Sequence, residues 1–404
     1  MRFILIFGLF CIVLPGWAQK IALTGKISDA DTGEPLPYAS VAIKGKPVGT
    51  VANLQGEFDF YFETAYRNDI LVISMLGYLN YEAPIWSLLA EQPLQIRLTK
   101  SIIMLNEVVV TDSLEAGGEI FRIALSRIDQ NYPMQPFLMD GFYRDVKKIG
   151  GTSIALLEAA VKIYDDNYTA PRNKNKLRER VKLVEVRKSI GYDNKFTSYF
   201  GQTNLLEDLL LHNNLRYRNI EADEEFYASL VREPDSHYNG HDIFVVSTAD
   251  QFALKVYIDK TDYSIVHLEF EMETTGDNLQ TRKGMVSKYL KYNKAIDFRR
   301  YQGKMYLNYI TVTTDERWHD ERTGELKFET GLVQHLVINE IHANTKSRIG
   351  PTEKMRSYGL QYQDYPYNKE FWASYNVLKE TTLDAKIRED LEKVAPLEQQ
   401  FADE

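Results

Sequence analysis

Between Phe226 and Asn344 the chain is written almost without interruption in alternating apolar and polar residues: "HDIFVVSTA", "FALKVYIDKTDYSIVHLEFEME", "MVSKYLKYNKAI", "KMYLNYITVTTDERW" and "LKFETGLVQHLVINEI". A period of two places alternate side chains on opposite faces of an extended strand, so these runs predict strands and exclude a helical bundle over this stretch. Asp259-Lys260-Thr261-Asp262 and Arg322-Thr323-Gly324-Glu325 carry turn residues between such runs, which predicts antiparallel hairpins. A long antiparallel meander cannot leave both faces in water. It must curl, or cover one face with helices.

The preceding residues supply such helices. "LEAGGEIFRIALSRIDQNYP" spaces Ile120, Phe121, Ala124, Leu125 and Ile128 for one helical face, with Pro133 beyond the end, and predicts a helix near 115–131. "TNLLEDLLLHNNL" does the same for Leu205, Leu206, Leu209 and Leu210 near 203–214, with Thr203 as its cap. Between them lie the β-rich runs "FLMDGFYRDVKKIGG", "TSIALLEAAVKIYDD" and "VKLVEVRKSIGY". After residue 345 an aromatic, proline-containing coil leads to a last helix with Leu383, Ile387, Leu391 and Val394 on one face. This predicts a strap, residues 346–404, that lays a helix across the sheet.

From Ile21 to about residue 100 short alternating runs are punctuated by turns every 8 to 12 residues or so, the pattern of a β-sandwich. Gly33 and Gly56 suit turns that need positive φ, Pro35 fixes φ after the first, and Phe58, Leu71 and Ile73 can point into a core. Asp29-x-Asp31-x-Gly33 has the opening of a calcium loop but lacks the later acidic ligand, so a plain turn is expected. Gly25, Asp29, Thr32-Gly33-Glu34-Pro35-Leu36, Ala39-Ser40-Val41, Gly49-Thr50, Gly56-Glu57-Phe58 and Leu71-x-Ile73-Ser74 before Gly77-Tyr78 resemble the carboxypeptidase regulatory-like domain. That resemblance implies a transthyretin-like sandwich over residues 19–111. "LNEVVVT" (105–111) is also similar to the run that leads into the plug of TonB-dependent outer-membrane transporters, but fewer than 300 residues follow it, too few for a barrel of some 22 strands.

Arg2 followed by an apolar run from Phe3 to Leu14, then Pro15 and small residues about Trp17, predicts a secretory signal peptide over residues 1–18. That run falls short of the roughly 20 residues of a membrane span, so no transmembrane span is expected in the mature chain. The one cysteine, Cys11, lies inside the run after Phe10, an order unlike a lipidation signal, and leaves the mature chain without disulfide, thiol nucleophile or thiolate ligand. Formal net charge is −9 with no basic stripe, which argues against nucleic-acid binding. The basic cluster Arg172 to Lys182 reads as a solvated approach to a strand, with anionic lipid headgroups as the alternative.

No phosphate loop, dinucleotide fingerprint or nucleophile elbow occurs. Of seven histidines, His237 and His241 have i,i+4 spacing, but Pro234, Asn239 and Gly240 favour a loop; His335 and His342, seven apart on one strand, fall on opposite faces. His267 lies in a strand and His319 beside Trp318 at a turn. No catalytic, cofactor-binding or metal-ligating residue is assigned, and no cofactor is expected.

The sequence therefore predicts a mainly β protein: a signal segment (1–18), a transthyretin-like sandwich (19–111), an antiparallel β-rich domain with packing helices (112–345) and an aromatic strap with a C-terminal helix (346–404). The order of "YIDKTDYSIVHLEFE" and "DFRRYQGKMYLNYITV" is similar to the half-barrel of periplasmic lipoprotein carriers, which implies a concave face suited to acyl chains; 19 Phe, 26 Tyr and 4 Trp would suit such a face or ordinary core packing. The expected role is non-enzymatic binding or scaffolding in the cell envelope, periplasmic or at the outer membrane, with an envelope protein or a hydrophobic ligand as partner. The alternatives are a carrier of lipid or lipoprotein acyl chains, and a carbohydrate- or peptide-active hydrolase with an acidic site.

Overall fold

A computed structural model describes residues 20–101, 116–193, 196–200, 204–220, 223–248, 252–355, 359–363, 365–379 and 382–402. The signal segment, "LNEVVVT" and Thr203 lie outside these residues.

The first sandwich is built from β1 (Lys20–Asp29), β2 (Ser40–Ile43), β3 (Gly49–Val51), β4 (Glu57–Glu63), β5 (Ile70–Ser74), β6 (Tyr81–Pro84) and β7 (Leu94–Leu98). One sheet has the order β4-β1-β7 and the other β3-β2-β5-β6. The alternation in the sequence becomes the core: Leu23 and Ile27 of β1, Phe58, Phe60 and Phe62 of β4, and Leu71 and Ile73 of β5 are buried together. Each such side chain contributes about 1.5–3 kcal/mol by leaving water. Gly56 has φ +72°, and a Cβ there would lie 2.1 Å from the Ile27 carbonyl oxygen, so the turn before β4 accepts only glycine. Asp29 forms the expected turn. Its Oδ1 accepts from the backbone of Asp31 and Thr32, and its Oδ2 accepts from the Tyr78 hydroxyl and faces Lys100.

The larger sheet comprises β8 (Phe137–Ile149), β9 (Thr152–Asp165), β10 (Arg180–Lys188), β11 (Val231–Tyr238), β12 (His241–Ser247), β13 (Phe252–Asp259), β14 (Ile265–Arg282), β15 (Met285–Tyr301), β16 (Lys304–Asp320) and β17 (Leu326–His342). All its pairings are antiparallel, in the order β10-β9-β8-β17-β16-β15-β14-β13-β12-β11, and its two edges do not join into a barrel. The mainly β class and the two-part architecture are as the sequence predicts. Both expected hairpin turns form, with Asp259 Oδ1 and Asp320 Oδ1 accepting backbone N–H groups within them.

Helices cover one face. Ile120, Phe121 and Ala124 of the helix Gly117–Ser126, and Leu206, Leu209 and Leu210 of the helix Leu205–Leu211, pack on Leu268, Ile296, Ile310, Leu336 and Ile338. The second helix is capped by Asn204, whose side chain accepts from Glu207 N, in place of the expected Thr203. Phe226 belongs to a further helix, Glu224–Ser229, so the strands begin at Val231 and not at Phe226.

The opposite face receives the sandwich and the strap, and this explains why β8 and β9 lack clean alternation: they are covered on both sides. β16 pairs with β17 only as far as Tyr309↔Val337. Beyond that point the β2–β3 hairpin takes over: Val48 bridges Glu340, and Ile341 N donates to the Pro47 carbonyl at 3.1 Å. The strap then crosses both domains. Trp372 and Leu378 pack with Phe142 and Val337 of the sheet and Val51 of the sandwich. Asn376 pairs with the backbone of Tyr61 like a strand residue, its Oδ1 accepting at 2.7 Å and its Nδ2 donating at 2.9 Å. Ile387 and Leu391 of the last long helix are buried against Val146 and Leu156. Val394 is not on that face; it follows the end of the helix and is 74 % exposed.

Asn376→Ala should lower stability by about 1–3 kcal/mol, because it leaves the N–H and C=O of Tyr61 in β4 without their partners. Urea unfolding of the parent and variant chains measures this difference.

Candidate functional site

The domain seam gathers more polar chemistry than any sequence motif announces. Its origin is a β-bulge. Ile338 pairs with Gly141 and Glu340 with Asp140, so Asn339 is an extra residue in β17. Leu336, Ile338 and Ile341 all enter the helix-covered core, a spacing of two followed by three. The bulge thus reverses the parity of everything after it. His335 and His342, expected on opposite faces, share the face turned toward the sandwich. His335 Nε2 lies 3.0 Å from the Tyr38 hydroxyl, and His342 Nε2 lies 2.9 Å from Asp140 Oδ2.

Asp140, Glu340 and His342 bring ligand-type atoms within 4.8 Å of one another. Asp140 and Glu340 line a cavity of about 310 Å³ closed by Lys20, Tyr61 and Glu63 of the sandwich and by Phe371, Tyr375 and Asn376 of the strap. Lys162 donates to Asp140 Oδ1 at 2.6 Å, so Asp140 already serves two cationic groups. Burial raises Glu340 above the ordinary carboxylate range, whereas the bond to Asp140 raises His342 despite partial burial. The result is a compact charge cluster in which two carboxylates, a lysine and a protonatable imidazole meet.

A second group lies further along the same face. His267 Nδ1 is 3.0 Å from Asp297 Oδ2 and its Nε2 is 3.3 Å from Glu269 Oε1, while Asn308 donates to Asp297 Oδ1 at 2.8 Å. Tyr257 and Tyr309 meet the imidazole edge-on, and Tyr309 stacks on Tyr38 of the sandwich. Burial opposes the imidazolium, but the two carboxylates outweigh it and raise His267 to about 9. Both ring nitrogens face carboxylates, so this histidine is held as a charged partner and offers no free base.

Beneath the helices lies a third group. Lys294 Nζ donates to Asn214 Oδ1 at 2.6 Å and sits 4.0 Å from the Phe270 ring centroid. Burial lowers its pKa to about 7. Burial, then the charge of Lys294, lowers the neighbouring His212 to about 4, and the Tyr292 hydroxyl lies 3.2 Å from His212 Nδ1.

The other sequence candidates stay apart. The expected loop is only the two-residue Asn239-Gly240 turn of a hairpin: His237 lies in β11, pairing with Asp242, and His241 opens β12 and faces Asp259 at 2.9 Å. Trp318 and His319 are not at a turn. They lie in β16, where Trp318 is fully buried beside Tyr199 and Phe328 and donates to Thr330 Oγ1. Arg172, Lys174 and Lys176 are exposed ahead of β10, as a solvated approach should be. The groupings about Asp140, His267 and Lys294 were missed because their members are up to 202 residues apart. Polar residues such as Asp140 inside an apolar strand were the only local signal.

Residues 23–110 match the CarboxypepD_reg-like domain family. The TonB-dependent receptor SusC of Bacteroides thetaiotaomicron is 36 % identical over 106 residues, which cover 26 % of this chain and 10 % of the receptor. The similarity is thus confined to a small part of that protein. Among solved structures, a LolA superfamily protein from Nitrosomonas europaea superposes with a TM-score of 0.21 and 13 % identity over 57 % of this chain and 95 % of its own. A putative membrane-associated protein of unknown function from Bacteroides fragilis gives 0.15 and 11 % over 80 % and 99 %. At such scores neither superposition bears on function.

The two shifted bases should leave opposite marks on stability. His267, raised in the folded state, stabilises fully below its unfolded pKa near 6.5, and this is lost as pH rises through about 9. The deficit of His267→Gln relative to the parent should therefore shrink over that window. Lys294, lowered to about 7, penalises folding at low pH, so Lys294→Met should gain most below pH 7 and lose that gain toward pH 10.5. Urea midpoints measured from pH 6 to 10 distinguish the two.

Proposed function

We propose that this chain, whose residues 23–110 are a CarboxypepD_reg-like domain, is a non-enzymatic binding or scaffolding protein of the bacterial cell envelope. The observation that carries this reading is the filling of the larger sheet. Its helix-covered face is occupied by the chain's own Phe121, Leu206, Leu209 and Leu210, while the sandwich and strap cover part of the opposite face. Open space remains at the seam between domains, in cavities of about 310 and 370 Å³ lined by residues of both, and on the large sheet itself, in a cavity of about 570 Å³ lined among others by Lys255, Glu269, Asn293 and Thr311.

The envelope location draws support from the N-terminal segment, which reads as an export signal, and from the domain shared with a TonB-dependent receptor. No helix among the described residues is long and apolar enough to cross a membrane. The non-enzymatic reading draws support from the state of the polar groups: His267 is held between Asp297 and Glu269, and Asp140 between Lys162 and His342. A carrier of acyl chains would require the helices Gly117–Ser126 and Leu205–Leu211 to leave the sheet. That exposes a core whose buried leucines contribute about 1.5–3 kcal/mol each.

Purified protein should show no turnover of peptide or glycan libraries. Turnover that disappears in Asp140→Asn, Glu340→Gln or His342→Ala would replace the binding reading with a hydrolase. Native mass spectrometry of protein extracted from membranes should show the bare chain mass; co-purified acyl species would favour the carrier.

A further inference from the structure

Arg299 differs from the other buried arginines of this protein. Arg144 lies 3.4 Å from Glu158 and Arg216 is paired with Asp165, while the half-buried Arg187 and Arg300 are paired with Glu158 and with Asp259 and Asp262. Arg299 is only 9 % exposed, yet among the described residues no carboxylate lies within ion-pair distance of it. Its Nη2 donates to the Pro47 carbonyl at 2.9 Å, and its Nε is buried without a hydrogen-bond partner. Taking a guanidinium out of water without a directly paired carboxylate is costly, and burial lowers its pKa to about 10 although Tyr238, Glu340 and Asp297 act in the opposite direction. A buried cation with an idle donor asks for an anion.

The space for one is present. Arg299 lines a cavity of about 370 Å³ between the sandwich and the large sheet, together with Lys44, Lys46, Tyr238, Arg300 and Tyr301. Four of the lining side chains are cationic. The one lining carboxylate, Glu82, is held by Lys44 at 2.6 Å. Lys46 faces Asp69 at 3.5 Å and Arg300 is held by Asp259 and Asp262, so of the four lining cations Arg299 is the one without a carboxylate at ion-pair distance among the described residues. The backbone is shaped to admit the guanidinium: a Cβ on Gly49 would lie 2.2 Å from Arg299 Nη1, so glycine at the start of β3 is what lets the arginine sit there.

We propose that this cavity is an anion site that takes a phosphate-type oxyanion, with the Arg299 guanidinium at its floor and Lys44, Lys46 and Tyr301 nearer its mouth. Guanidinium presents several N–H donors in a fixed fork that matches phosphate oxygens, and the two lysines add charge at the entrance. The cavity is larger than a bare phosphate and leaves room for an organic substituent. Because the lining comes from both domains, an occupant would also tighten the seam. The site is independent of the scaffold reading, which fails on catalytic turnover, whereas this one fails on titration.

The test is calorimetric titration of the full chain with inorganic phosphate against chloride at equal ionic strength, repeated with glycerol 1-phosphate. One saturable site is expected. Arg299→Gln should weaken it by about tenfold or more, the scale of a lost charge-assisted hydrogen bond, and Lys44→Gln and Lys46→Gln by several-fold. The two lysines are partly exposed, so their variants carry the test if Arg299→Gln does not fold. Tighter binding of glycerol 1-phosphate would place its organic part in the cavity. Phosphatidylglycerol vesicles that compete with free phosphate would identify a lipid headgroup as the source, and vesicles that do not compete would point to a soluble phosphate. Absence of saturable phosphate binding, or binding indifferent to all three substitutions, overturns the proposal.

Discussion

The Pro47 carbonyl accepts from Ile341 N of β17 and from the Arg299 guanidinium of β15, and the arrangement of the two domains depends on that double acceptance. A hairpin tip from a small sandwich supplies the hydrogen bonding that β17 would otherwise lack where β16 stops pairing with it. Buried backbone groups must be paired somewhere, and here the requirement is met by another domain. Because the hairpin is anchored at this point, Tyr38 reaches Tyr309 and His335, and Val51 joins the apolar cluster under the strap. The strap completes the seam by pairing Asn376 with Tyr61 and Lys379 with Asp59.

One inserted residue decides the electrostatics of that seam. Without the bulge at Asn339, period-two counting would carry His342 into the helix-covered core and leave Ile341 facing the sandwich. With it, Ile341 is buried in the core and His342 meets Asp140. The same geometry brings Glu340 against Val48, so the charge cluster and the docking contact have a common cause.

The large sheet also shows why aromatic abundance did not identify a ligand face. Many of its rings are spent on internal packing: Tyr132, Phe137, Tyr168, Phe298 and Tyr306 contact one another, and Tyr199, Trp318 and Phe328 form a separate cluster toward the far end of β16. The helices that cover this core are positioned partly by polar anchors, among them the buried Arg216–Asp165 pair and the Lys294–Asn214 bond. Such groups are costly to bury singly and tolerable when paired, which makes the helix layer specific as well as apolar.

The sequence by itself determined the elements whose cause is local. Alternation specified the strands, the 3.6-residue spacing of Leu205, Leu206, Leu209 and Leu210 specified a helix, and Gly33 and Gly56 marked turns that need positive φ. The carboxypeptidase regulatory-like wording of the first module was legible for the same reason, since its residues serve turns and a core within about 80 positions of one another. Only the tertiary structure decided the insertion of β8–β10 beside β17, the parity change at Asn339, and the meeting of Arg299 with Pro47 and Gly49 across some 250 residues. These depend on which surfaces are buried against each other, and one-dimensional periodicity carries no information about a partner strand, a bulge or a neighbouring domain.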